Sequence, residues 1–499
     1  MTRHIRGGAS GPASGGAGTP GTPALLGIDL GTSRVKAGLI GLDGAPLGFG
    51  RAAHGFDVDP ATGRAEQDPD AWWSGVGVAV REGIDGAPGP VEVLGISVAG
   101  HGPTMTAVDA DGLPVRPAIT WLDTRAATER NELEATTGLR GWALGVLPAA
   151  LWLDRHEPDA ARRTRWYLNS WEALALRLCG VAATTVVPGG DALPRAALER
   201  AGVYGDRIAP DVATGSTLGG LTAAAAAHLG LPAGIPVVAG LNDAFASFHG
   251  ARMLGAGDAI DVGGAAGGFG VYAARPVQVA GGFTTRAPMP GLFSVGAAMA
   301  ATGAALDWFA SDILAGSRSV ADLVGEAAIV PPGAEGLIFL PYLAGERSPL
   351  WDPNARGAFV GLTLRHTRAH MVRAILEAAA LAIRHVATPM LEAGVAVHAM
   401  RSVGGPAHSD AWNQLKADAT GFTVEVPRVL DAAAVGAAIV AAVGVGAHAD
   451  LLSAIRAMTV IDRRFEPSTE RAAIYDRVFE AYVGLYPAMK PVTDALVAA

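Results

Sequence analysis

Leu25-Leu26-Gly27-Ile28-Asp29-Leu30-Gly31-Thr32-Ser33 is the stretch on which the reading of this chain turns. Its first six residues have the composition of a buried strand with a carboxylate near the end, and Gly31-Thr32-Ser33 has the residues of a turn. Val35 to Leu42 returns as a second strand-like run before the Asp43-Gly44 turn, so a hairpin with a polar, glycine-bearing bend is expected. The pattern recurs 232 residues later as Ile260-Asp261-Val262-Gly263-Gly264-Ala265, again followed by a strand-like run. Such an echo suggests two similar halves meeting near residue 250.

Between the two stretches, strand-like and helical runs alternate. Val91 to Ala99 and Pro236 to Leu241 read as buried strands, and Ala126 to Thr137 as a charged helix. Alternation favours α/β layers, and 499 residues at 50% hydrophobic and 17% charged content favour two domains of roughly 200 to 250 residues. The expected organisation is a flexible Gly/Ala/Ser/Pro-rich tail over 1–23, a first domain over 24–250, a second over 251–488 and a short tail over 489–499.

The composition excludes several classes. One cysteine, Cys179, rules out a disulfide scaffold. A net charge of −9 argues against a broad nucleic-acid or anionic-membrane surface, leaving room for a small anion in a local pocket. Ala432 to Val445, the longest uncharged apolar stretch, is shorter than the roughly 20 residues a spanning helix needs. The first residues lack the apolar core of a secretory signal, so a cytoplasmic protein is expected. Lysine occurs only at 36, 416 and 490, which reads as coding bias given the abundant arginine.

A glycine turn between strands exposes successive backbone N–H groups and lets a phosphate approach them closely. In the first turn Thr32 and Ser33 add hydroxyl donors, and Asp29 can hold a hydrated Mg²⁺ that bridges phosphate oxygens. The alternative is an ordinary hairpin with a capped polar turn. The second turn, Gly263 to Gly268, offers mainly backbone amides, or is simply a close-packed hairpin. Gly404-Gly405 precedes Ser409-Asp410, a credible cap for a helix over Ala411 to Ala419, and could take an adenosine or serve as a plain strand-to-helix link. Neither a Walker A loop nor a dinucleotide-binding glycine motif follows a strand here.

Together these segments resemble the FGGY family of carbohydrate kinases from about Leu25 to about Ala488. The strongest match is Gly345-Glu346-Arg347-Ser348-Pro349-Leu350-Trp351-Asp352-Pro353-Asn354-Ala355-Arg356-Gly357-Ala358-Phe359-Val360-Gly361-Leu362, which looks like the family's long signature. The resemblance implies two actin-like ATPase (ribonuclease H-like) domains around an interdomain cleft, the first binding sugar and the second nucleotide. It implies ATP and Mg²⁺ as cofactors. Asp243 matches the family's catalytic aspartate, which as general base accepts the proton of the attacking hydroxyl. The residue could instead cap the helix Ala244 to His249. Asp29 would orient the metal, Thr32 and Ser33 would face the β- and γ-phosphates, and Gly263, Gly264, Gly303, Gly404 and Gly405 would hold the nucleotide. Two departures stand out: Gly264-Ala265 where the family commonly has Thr-Ser, and His408 where many relatives have lysine.

For the sugar, the candidates are Asp123, Glu66, Gln67, Trp121 and His101, with Trp121-x-Asp123-x-Arg125 similar to the sugar-contacting segment of xylulokinases. An ion pair with Arg125, or a helix cap, is the alternative for Asp123. Gly102-Pro103-Thr104 stands where xylulokinases have Met-His-Gly, so substrate identity is read by altered residues. The expected activity is ATP-dependent phosphorylation of a primary hydroxyl of a ketopentose or related polyol, with self-association into a homodimer left open. The competing readings are a degenerate sugar or nucleotide sensor and an actin-like chaperone or polymerising ATPase.

Overall fold

The computed structural model describes residues 21–59, 61–188, 190, 199, 202, 205–264 and 266–498. The tail reading for residues 1–20 therefore lies outside the described residues. Two mixed sheets organise the chain. The first runs β5-β6-β4-β1-β2-β3, with β1 (Thr22–Leu30), β2 (Arg34–Gly41), β3 (Pro46–Ala53), β4 (Val91–Gly100), β5 (Thr217–Gly220) and β6 (Pro236–Asn242). Strand β1 is antiparallel to β2 and parallel to β4, and β6 is parallel to β4. The second sheet runs β9-β10-β8-β7-β11-β12-β13, with β7 (Asp258–Gly263), β8 (Gly267–Ala273), β9 (Phe283–Arg286), β10 (Phe293–Met299), β11 (Ala399–Gly404), β12 (Val424–Pro427) and β13 (Ile461–Phe465).

The sequence echo is a structural repeat. Each copy is an antiparallel hairpin whose first strand also lies parallel to a later strand, β1–β2 beside β4 and β7–β8 beside β11. Ala265 of the second copy lies outside the described residues. β1 is fully buried from Ala24 to Leu30, as a strand covered on both faces must be. One face is covered by α1 (Pro69–Asp85), whose Asp68 cap accepts from the Asp70 N–H and whose Trp72 is wholly buried. The other is crossed by α7 (Ala432–Gly444), the apolar stretch 432–445 of the sequence.

Helix α7 also packs on α4 (Asp243–Gly250), and this crossing needs glycine. A Cβ at Gly436 would stand 1.9 Å from the Ala246 carbonyl oxygen, and one at Gly27 would stand 1.9 Å from that of Ala434. Backbone therefore meets backbone where the C-terminal half touches the first sheet. The longest apolar helix, α5 (Arg368–Glu392), could cross a membrane by length and composition, but 72% of its apolar stretch is buried in the protein.

Two sequence boundaries shift. The first strand, β1, starts at Thr22 rather than at Ala24. Residues 489–498, read as a tail, continue α8 (Thr469–Ala498) through Pro487 and Pro491. Its hold is a buried contact of Tyr482 with Tyr342, and Tyr486 and Lys490 both reach Asp352 of the signature stretch. A division near residue 250 falls between α4 and β7.

Candidate active site

Three neighbouring parallel strands of the first sheet end together. Asn242 at the end of β6 is level with Gly100 at the end of β4, and Asp29 on β1 is level with Ala99. Asp29, His101 and Asp243 thus share the carboxyl edge of one sheet, where ligands bind in open α/β sheets. In the second sheet β7 and β11 also end level, with Gly263 opposite Gly404. Both predicted sets of residues therefore sit on carboxyl strand edges.

Asp243 is the first residue of α4, and the cap is its neighbour: the Asn242 side chain accepts from the Ala244 N–H at 2.9 Å. The capping alternative thus belongs to Asn242. The Asp243 carboxylate lies at the positive end of the helix and accepts from the same N–H at 2.7 Å. Burial and, behind it, the charge of Asp29 nevertheless push its pKa up to about 7. Asp29 is itself raised to about 6, by burial against the opposing pull of Lys36 and with the added repulsion of Asp431. Two carboxyls poised this way can divide the tasks of proton acceptor and cation ligand.

Lys36 was missed from sequence. It is level with Asp29 across the hairpin, its Nζ 3.9 Å from Asp29 Oδ2 and 3.0 Å from Asp431 Oδ1. A lysine on the strand after a glycine turn, in a chain with only three lysines, was the available signal. Among the described residues no cluster of three or more His, Cys, Asp or Glu could cage a metal. The donor set fits Mg²⁺ all the same, because that ion keeps much of its water and takes one or two carboxylates plus phosphate oxygens.

The sugar candidates divide into two groups. Gln67 ties the first turn in place, its amide donating to the Thr32 carbonyl at 2.6 Å while Trp72 Nε1–H donates to its oxygen at 3.0 Å. His101 is 2% exposed, its Nδ1 is 2.9 Å from Thr104 Oγ1, and its Nε2 has no partner. Burial, and secondarily His54, lowers its pKa to about 3, so the ring is neutral. Glu66 and Asp123 instead form an ion-pair network. Arg116 and Arg125 both contact Glu66, Arg125 Nη2 is 2.7 Å from Asp123 Oδ2, and Asp123 also accepts from the Ala65 N–H at 2.9 Å. The Arg125 pairing offered as the alternative for Asp123 is what the structure shows. Trp121 is half-buried beneath the guanidinium of Arg347, whose carbon is 5.6 Å from the ring centroid, so the signature stretch meets the sugar segment.

On the nucleotide side, Thr32 is half-buried and Ser33 exposed. Gly404 is required by the backbone: its φ is +79°, and a Cβ there would stand 2.1 Å from the Gly263 carbonyl oxygen. Gly405 opens onto free space. Gly263, Thr302, Gly303, Pro406 and Trp412 line a shallow, solvent-open recess. Gly264 borders the residue outside the described set, and His408 is exposed at the end of the 3-10 turn Gly405–His408.

Each of the two repeated sheets thus presents an acidic or glycine-bearing strand end on its carboxyl edge. The N-terminal domain of the FGGY family of carbohydrate kinases matches residues 24–190 and its C-terminal domain residues 262–445. The xylulose kinase of Escherichia coli strain K12 is 30% identical over 494 residues, covering 93% of this chain and 99% of that protein. The gluconokinase of Bacillus licheniformis is 26% identical over 502 residues, covering 94% and 96%. The crystal structure of xylulose kinase from Rhodospirillum rubrum superposes with a TM-score of 0.77 at 30% identity, covering 94% of this chain and 100% of that one. The chain belongs to the FGGY family of carbohydrate kinases, has that family's two-domain actin-like ATPase fold, and is an ATP-dependent sugar kinase.

Proposed function

We propose that this kinase phosphorylates a primary hydroxyl of a ketopentose or related polyol, with Asp243 as general base. The observation that carries the reading is the placement of Asp243 on the strand edge, beside Asp29, with the cap position held by Asn242 and its own pKa pushed up to about 7. A base with that pKa is deprotonated often enough at neutral pH and still draws a proton effectively. It takes the hydroxyl proton as the new oxygen–phosphorus bond forms, the bond from the γ-phosphorus to the β–γ bridging oxygen breaks, and ADP leaves.

Bound Mg²⁺ would supply neutralisation of the β- and γ-phosphate charge, and Asp29 would hold its hydration shell. Thr32, Ser33 and the turn amides orient the phosphates from one side, and Gly263, Gly264, Gly303, Gly404 and Gly405 receive the nucleotide from the other. Trp121 offers an apolar face and His101 Nε2 a hydrogen-bond group to the sugar. Glu66, Asp123 and Arg125 support that surface through their mutual bonds, and Gln67 supports it by fixing the first turn through Thr32.

Relatives named as xylulose kinase and as gluconokinase leave the sugar open. The residues at Gly102-Pro103-Thr104 favour a substrate that differs from D-xylulose in stereochemistry or in oxidation at C2. The test is kcat/KM across ketopentoses, pentitols, tetritols, glycerol and gluconate. A pentulose or pentitol other than D-xylulose should lead. A hundredfold lead for D-xylulose, or for gluconate, overturns this reading of the specificity.

A further inference from the structure

A buried charge pair lies under the second glycine turn, and the catalytic geometry makes no use of it. Asp261 on β7 is two residues before Gly263, so its side chain leaves the sheet on the face where a Cβ at Gly263 would stand. Lys416, on α6 (Asp410–Thr420), places its ammonium 2.5 Å from Asp261 Oδ2 and 3.1 Å from the hydroxyl of Ser402, which is level with Asp261 on β11. The two charged residues are 4% and 2% exposed. Both line the recess that holds Gly263, Thr302, Gly303 and Pro406.

The electrostatics of that position are specific. A carboxylate buried beneath a polyphosphate site repels the ligand through a medium that screens it poorly, and a cation at 2.5 Å cancels the repulsion. We infer that Lys416 sets nucleotide affinity by neutralising Asp261 beneath the turn, an inference that rests on the nucleotide placement proposed above. Each member acts on the nucleotide through the field of the other and is therefore a positioning residue for it.

A purely structural pair and an electrostatic one differ in sign. MgADP binding is measured by calorimetry on the full chain for the wild type, Lys416→Met, Asp261→Asn and the double variant, with thermal melting in parallel. Lys416→Met should weaken MgADP binding about tenfold by exposing the lone carboxylate, and Asp261→Asn should tighten it severalfold by leaving the lone cation. The double variant should return to within about twofold of wild type. Should Lys416→Met fail to fold, Asp261→Asn and Lys416→Arg decide: tightened binding in the first with wild-type binding in the second supports the inference. Single variants that both weaken binding, or leave it unchanged while lowering the melting temperature, overturn it. A wild type that binds no MgADP overturns the nucleotide placement itself and the inference with it.

Discussion

Lys36 of β2 reaches Asp431 at the head of α7, with Nζ 3.0 Å from Oδ1, and so ties the first glycine hairpin to the C-terminal half. Arg51 reinforces the tie at 2.9 Å from the other oxygen. The same lysine lowers the pKa of both Asp29 and Asp243. Lys36→Met should therefore move the acid limb of kcat/KM to higher pH, because Asp243 then keeps its proton longer as pH rises. Since Lys36 is partly exposed, the stability loss should stay near ~1 kcal/mol. A pH–rate profile with an unmoved limb contradicts the placement of this cation at the acids.

His101 tests the sugar side. Its Nε2 is buried without a partner and the ring stays neutral. His101→Phe should raise the sugar KM about tenfold or more, leave the ATP KM within about twofold, and do so equally at pH 6 and pH 8. A lower melting temperature with an unchanged sugar KM would make the residue structural.

Asp123 calls for a different expectation than its sequence suggests. Its side chain is 1% exposed and paired with the half-buried Arg125, so Asp123→Ala leaves that guanidinium with fewer partners. The variant should lose ~3 kcal/mol of stability, as broken buried pairs do, together with sugar affinity. Differential scanning calorimetry checks this; an unchanged melting temperature would mean that the pair contributes nothing.

Glu346 gives a pH signature. Burial raises its pKa from 4.5 to about 7, while its Oε1 accepts from the N–H groups of Ala300 and Arg347. Between those values the folded chain keeps a proton that the unfolded chain has lost. The stability from this group is full below about pH 4.5 and is lost as pH rises through 7. Glu346→Gln keeps the acceptor and removes the titration. It should differ little from wild type at pH 5 and exceed it by up to about 3 kcal/mol at pH 8, measured by denaturant unfolding. Equal pH slopes in both proteins contradict the assignment.

The parts of the fold written in local pattern were legible. The two hairpins follow from apolar runs broken by glycine turns, and the Ser409 cap of α6 follows from its neighbours. What the sequence hid depends on distance along the chain. Glu66 meets Arg116 and Arg125 from 50 and 59 residues away, and Trp121 meets Arg347 of the other half, pairings that leave no local trace. Asn242 and Asp243 are both capping residue types, and only geometry shows which one caps. The end of α8 reads as a tail because Pro487 and Pro491 interrupt its helical pattern, although aromatic and ionic contacts hold it.

The central claim is that Asp243 is the base of a sugar-dependent phosphoryl transfer. Its most direct measure is the rate of ADP release from MgATP by wild type and Asp243→Asn, with and without a sugar of the panel, alongside binding of both substrates. The wild type should be slow without sugar and fast with it, because closure around the sugar excludes water. Asp243→Asn should bind both substrates and release ADP 10²- to 10⁴-fold more slowly, roughly the loss expected for a general base. A variant rate within about tenfold of wild type, or ADP release that ignores the sugar, would contradict the account.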